Sequence, residues 1–264
     1  MQAPEGSGTR RRGSAVRAAT GVIGELLITA GVLVGLFVVW QTWWTDVAVS
    51  ATQAELVDEL EGAPQASEPA AEPEPPSSTR PEPEPSEQPP PVLAQPETEG
   101  ETFASLRVPR WGDDYVRPVS EGVSRQRVLD VMGIGHYPGT AMPGDTGNFA
   151  VAGHRVGFGR PFYRVDELRI GDPLVVRTGD TWFVYRVTSS AIVPPTDVAV
   201  IAPVPGAPDQ APDRATITLT TCHPVFSTRE RFVVHGVLDS WTPVADGVPD
   251  VLRDGTDDSS ERTA

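Results

Sequence analysis

The sequence predicts an all-β domain, a barrel or a sandwich, carried behind one membrane-spanning helix and a proline-rich linker. Three observations lead there. Residues 103–241 break into short β-branched or aromatic runs separated by Gly, Pro and Asp. Residues 22–44 form one apolar run whose only charged residue is Glu25, and residues 62–100 consist mainly of Pro, Glu, Ala and Ser.

The chain begins with a basic segment, residues 1–20, carrying Arg10, Arg11, Arg12 and Arg17. The apolar run that follows, residues 21–44, spans a hydrocarbon core of about 30 Å at about 1.5 Å per residue. Trp40, Trp43 and Trp44 cluster at its far end, where amphipathic rings prefer the interface. Arginines before the span and tryptophans after it predict an N-terminus in the cytoplasm and everything beyond residue 44 outside the cell membrane. A cleaved signal peptide is the alternative, with Ala48-Val49-Ser50-Ala51 as its cleavage region.

Residues 45–100 read as a linker. A short helical pattern continues over 51–60, and then Glu72-Pro73-Glu74-Pro75 and Pro81-Glu82-Pro83-Glu84-Pro85 leave nothing to bury in a core. Proline stiffness and like-charge repulsion extend such a segment, so it serves either as a spacer or as a plain disordered connection. Much of the formal charge of −15 and many of the 28 prolines fall here and in the polar tail 246–264. An acidic total with no basic patch after residue 20 excludes a nucleic-acid partner.

Residues 101–245 are the expected folded domain, large enough for one real core. Strands are expected at 147–152, 172–177, 182–187, 215–220 and 231–238, while 125–131 and 161–168 each suit a turn or two of helix. No His or Cys spacing suits zinc and no acidic loop suits calcium, so no cofactor or metal is expected.

The single cysteine, Cys222, has no partner for an internal disulfide in a compartment that favours them. It is either a small buried apolar residue or a thiol kept for reaction. Thr218-Leu219-Thr220-Thr221 before it and Pro224 after it place it at a strand end, where scaffolds present reactive groups. A thiol attacks as thiolate and needs a base or a cation beside it. Of the four histidines, His223 points to the opposite face from its neighbour Cys222, and His235 lies inside a strand. His136 sits in Gly135-His136-Tyr137-Pro138-Gly139, a turn or a ligand-contacting loop. His154 ends the run Phe149-Ala150-Val151-Ala152-Gly153, with Gly153 leaving room beside it, and is the best partner.

These residues resemble the sortase family. Thr218-Leu219-Thr220-Thr221-Cys222 matches the TLxTC signature, Ala152-Gly153-His154-Arg155 the strand-end histidine, and Arg229-Glu230-Arg231-Phe232-Val233-Val234 the segment bearing the essential arginine. Arg107-Val108-Pro109-Arg110, Gly135-His136-Tyr137-Pro138-Gly139-Thr140 and Thr221-Cys222-His223-Pro224 look like the class E group of actinobacteria, with class D similar over much of the same text.

The resemblance implies a closed eight-stranded β-barrel with short helices, and a cysteine transpeptidase with Cys222 as nucleophile, His154 as acid and base, and Arg231 holding substrate or oxyanion. Arg229 is the fallback for Arg231. It implies cleavage of a Leu-x-x-Thr-Gly signal, Leu-Ala-x-Thr-Gly for class E, on surface proteins. The acceptor implied is an amine of a peptidoglycan precursor or, in pilus-building members, a pilin lysine. Tyr137, His136 and Thr221 are the expected substrate contacts, Tyr137 as the tyrosine that replaces room for proline. Rival readings are a thiol peptidase that passes the acyl group to water and an anchored β-barrel that binds a cell-wall polymer with Cys222 inert.

Overall fold

A computed structural model describes residues 8–62 and 89–253. The chain divides into two compact units after Thr45. In the first, α1 (Gly8–Gly62) begins, and its stretch Thr20–Val38 has a mean hydropathy of 2.2 and no buried share, long and apolar enough to cross a membrane.

The second unit holds the end of α1 and eight strands: β1 (Thr102–Arg107), β2 (Val116–Glu121), β3 (Ile134–His136), β4 (Gly147–Gly153), β5 (Pro173–Arg177), β6 (Thr181–Val193), β7 (Ala215–His223) and β8 (Glu230–Pro243). They close into one barrel in the order β1-β2-β3-β4-β7-β8-β6-β5, which leaves no free edge. The eight-stranded barrel is borne out, and the sandwich is not formed. Two neighbouring pairs, β2 with β3 and β4 with β7, run parallel, and the rest are antiparallel.

Alternation along the strands turns Leu106, Val119, Ile134, Phe149, Phe183, Tyr185, Ile217 and Leu219 into a shared core. Each such side chain contributes roughly 1.5–3 kcal/mol by leaving water. All five expected strands are present, and β6 and β8 run well past their expected ends because the far end of β6 pairs with the first residues of β8 and the far end of β8 with the first residues of β6. β1, β2 and β3 lie outside the five expected strands; β3 is only three residues long, too short for a pattern.

The segment expected as helix at 125–131 forms a π-type turn over Arg125–Leu129, and the one at 161–168 a single 3-10 turn over Val165–Glu167.

The expected linker falls largely on residues 63–88, outside the described residues, but its flanks differ from that reading. Helix α1 runs on to Gly62, with Val49, Thr52, Gln53, Leu56, Val57, Leu60 and Glu61 wholly or partly covered and the residues between them exposed. That three-four spacing is one helical face laid on the barrel. The carboxylate of Glu61 accepts hydrogen bonds from Arg107 Nη2 at 2.6 Å and pairs with Arg177 Nη1 at 2.5 Å. On the other flank Leu93 packs against the core and Gln95 Nε2 donates to Glu121 Oε1 at 3.2 Å. The expected tail also starts later, because Val251 and Leu252 pack against Val175, Trp182 and Val184.

Candidate active site

Strand register assembles the site. In the β7–β8 ladder Cys222 stands directly opposite Arg231. Opposite residues of an antiparallel pair point to the same face with Cβ atoms about 4.5–5.5 Å apart. On the other side of β7, β4 runs parallel to it with Ala152 beside Thr220. His154 follows directly on the end of β4, two residues past Ala152, as Cys222 lies two past Thr220 on β7. One strand end therefore carries the thiol with an imidazole on one flank and a guanidinium on the other, and all three line a single groove of about 430 Å³.

Each position has a local cause. Thr221 Oγ1 donates to the Gly153 carbonyl at 2.7 Å, tying the last residue of β4 to the residue before the thiol. A Cβ on Gly153 would stand 2.8 Å from the Phe162 ring, so only glycine lets that core ring reach under His154. Cys222 is partly exposed and in no disulfide, and among the described residues it is the only free cysteine. Arg231 Nη1 donates to the carbonyls of Thr228 and Glu230, each at 3.0 Å, and no ion pair to a carboxylate is made by Arg231 among the described residues. Arg229 does not line the groove, which favours Arg231 over the fallback.

The other expected contacts separate. Tyr137 lines the groove, and its hydroxyl donates to Thr220 Oγ1 at 3.0 Å, since that oxygen's own proton goes to the Val151 carbonyl. Thr221 lines it too, with its hydroxyl already committed to Gly153.

His136 is elsewhere. It is fully buried in β3, with Nδ1 2.6 Å from Glu121 Oε2, because the alternation of β3 turns this ring inward to the one carboxylate placed to receive it. The expectation that it contacts substrate is corrected on that ground.

The structure adds residues the sequence reading passed over. Asp130 closes the 125–129 turn, and its Oδ1 lies 2.7 Å from His154 Nε2. Phe158 stacks on the His154 ring at 5.0 Å between centroids. It does so from a left-handed backbone, φ 54°, between Gly157 and Gly159, which are also left-handed. The Gly-Phe-Gly triplet was the available signal. Arg155 is buried at the groove wall, paired with Asp166 at 2.9 Å and donating to His223 Nδ1 at 3.4 Å. His235 is held in the β7–β8 ladder against Thr218 Oγ1 at 2.9 Å, and burial pushes its titration below the usual histidine value.

The sortase domain family model matches residues 106–239, which takes in every residue of this site. The chain belongs to the sortase family. It is 37% identical to sortase SrtE1 of Streptomyces coelicolor over 92% of its own length, spanning 63% of that relative's length. It is 34% identical to sortase SrtE2 of the same organism over 88% of its length and 87% of the relative's. Among solved structures, this sortase superposes on the SrtA sortase of Actinomyces oris with a TM-score of 0.59 and 41% identity, covering 62% of this chain and 94% of that one. Sortase E of Streptomyces avermitilis gives a TM-score of 0.54 and 44% identity over 59% and 99%. Sortase E1 of Streptomyces coelicolor, solved with a tripeptide in its active site, gives 0.53 and 40% over 58% and 97%.

Proposed function

We propose that this sortase is a membrane-anchored cysteine transpeptidase that cuts a Leu-Ala-x-Thr-Gly signal between Thr and Gly and passes the Thr carbonyl to an amine of a peptidoglycan precursor. The observation that carries the reading is the register that flanks Cys222 with His154 and Arg231 at one strand end. A thiolate there attacks the Thr carbonyl carbon, and the tetrahedral oxyanion forms beside the guanidinium, a rigid fork of donors that pairs with no carboxylate among the described residues. Collapse breaks the Thr–Gly bond. His154 delivers the proton to the leaving glycine amine, leaving a thioacyl enzyme. The acceptor amine then gives its proton to His154 as it displaces the Cys222 thiolate and forms the amide.

The tripeptide in the active site of the Streptomyces coelicolor relative supports a peptide in the groove of this sortase. Tyr137, which lines the groove with its hydroxyl fixed by Thr220, supports alanine over proline at the second position of the signal. The arginines before the apolar helix support a cytoplasmic N-terminus with the catalytic barrel outside. Substrate and lipid-linked acceptor would then share one face of the membrane.

The test is a product analysis. The full-length chain in detergent is given Leu-Ala-x-Thr-Gly and Leu-Pro-x-Thr-Gly peptides with and without a peptidoglycan-type amine. Cleavage between Thr and Gly, faster for alanine, with the amide replacing the free acid when the amine is present, is the expected result. Free acid alone at every amine concentration would make the protein a thiol hydrolase, and a preference for proline would remove the class E specificity.

A further inference from the structure

The histidine that moves protons in this mechanism is held by a carboxylate outside the segments that carry Cys222, His154 and Arg231. Asp130 Oδ1 lies 2.7 Å from His154 Nε2, with both side chains about one-fifth exposed or less. A carboxylate can only accept, so Nε2 carries the hydrogen. That fixes the tautomer: Nδ1 becomes the nitrogen whose proton comes and goes, a base when bare and an acid when protonated. Phe158 stacks on the ring's face, so the imidazole is constrained on an edge and a face together.

We infer that Asp130 is a positioning residue for the transpeptidation step, holding His154 in its Nε2–H tautomer and stabilising the imidazolium from which the leaving amine takes its proton. It acts through His154 and touches no reacting atom.

Asp130 reaches this place by local structure. The turn Arg125–Leu129 ends with the Asp130 amide donating to the Arg125 carbonyl at 2.8 Å, which presents the side chain toward the end of β4. Its position is steadied by Arg125, whose Nε is 3.4 Å from the same Oδ1 and whose guanidinium lies 6.0 Å from the Phe158 ring centre. Arg125 is largely exposed, so solvent screens that pair, and the closer and better shielded partner of the carboxylate is the imidazole. Among the described residues no other carboxylate is paired with His154. The arrangement matches the general logic in which an acid–base histidine is oriented by a third group.

The inference rests on the transpeptidase reading, so its test has an arm that does not need activity. Full-length chain carrying ¹⁵N-labelled histidine is compared with Asp130→Ala and Asp130→Asn by long-range ¹H–¹⁵N correlation, with the His154 signals assigned by their loss in His154→Gln. In the parent the neutral ring of His154 is expected as the Nε2–H tautomer. Asp130→Ala should relax it toward a mixture. Asp130→Asn keeps a neutral acceptor and the shape of the side chain, so it should keep the tautomer while losing the charge.

In peptide turnover, Asp130→Ala should lower kcat by about 10²-fold and Asp130→Asn by about tenfold, with KM within twofold in both, because the ring's proton transfer and not peptide binding is affected. An unchanged tautomer in Asp130→Ala, or an unchanged kcat for it in an active parent, overturns the inference. Should the parent release no Thr–Gly product while the tautomer shifts as described, the transpeptidase reading is what fails and the positioning of His154 stands.

Discussion

Arginine is used in two opposite ways on this barrel. At the Cys222 groove, Arg231 is bonded to two backbone carbonyls, and no ion pair to a carboxylate is made by it among the described residues. Where the docked end of α1 meets β1 and β5, Arg107 and Arg177 share the carboxylate of Glu61 and lie over the same Trp182 ring at 5.0 and 5.3 Å. Their side chains are 15% and 10% exposed. A guanidinium whose charge is already neutralised in a sheltered place holds pieces of a fold together, whereas one left with carbonyls alone keeps its charge for an incoming group. The first kind of site should respond to mutation in stability and the second in rate.

The largest separation is expected at the groove itself. Cys222→Ala should reduce turnover by about 10⁴-fold or more while the melting curve stays within scatter of the parent. Next, Arg231→Lys should lower kcat by about 10²- to 10³-fold, since a point charge replaces a planar fork at the oxyanion, with Tm again unchanged. Arg229→Lys should cost less than about threefold; steady-state kinetics on the signal peptide rank the two, and the reverse order would move the oxyanion role to Arg229.

At the clasp the signature inverts. Glu61→Gln leaves two sheltered guanidiniums facing a neutral amide, and denaturant unfolding should show a loss of about 2 kcal/mol, a fall of several degrees in Tm, with kcat on a free peptide within twofold. A kinetic defect larger than the stability defect would show that the docked helix takes part in the reaction.

The smallest effect belongs to His235. Burial holds its folded pKa below the ordinary value of 6.5, so above pH 6.5 both states are neutral and nothing is lost. As pH falls through 6.5 the unfolded chain binds the proton first, and stability declines until the folded value is passed. His235→Gln should therefore unfold with a gentler loss of stability between pH 7 and pH 5 than the parent, read by thermal melts across that range.

Much of the groove was legible before any coordinates. Cys222 and His154 each sit at a strand end that a run of strand-forming residues announces, while Arg231 rested on the resemblance to the sortase family, with Arg229 as the fallback. What the linear pattern could not supply was register. The opposition of Cys222 and Arg231 exists only once β7 and β8 pair, and the rejection of His136 depends on Glu121 lying on the strand beside it. Asp130 was hidden for a similar reason, because a short polar turn carries no periodicity and its meaning comes from a histidine 24 residues later.

The linker shows the opposite failure. Composition dominated the reading of residues 45–100, and the Pro/Glu stretch drew attention away from Val49, Thr52, Gln53, Leu56, Val57, Leu60 and Glu61, whose three-four spacing marks a docking face. The helical stripe ending in Glu61 was the available clue.

The central claim, that acyl transfer runs through Cys222 between His154 and Arg231, is tested most directly by intact-mass spectrometry of the full-length chain mixed with a Leu-Ala-x-Thr-Gly peptide and no amine. The account predicts an adduct of the Leu-Ala-x-Thr acyl group, located on Cys222 by fragmentation, accumulating in the parent, discharged as an amide on adding amine, and absent from Cys222→Ala. Cleavage of the peptide by Cys222→Ala, or an adduct on another residue, would contradict it.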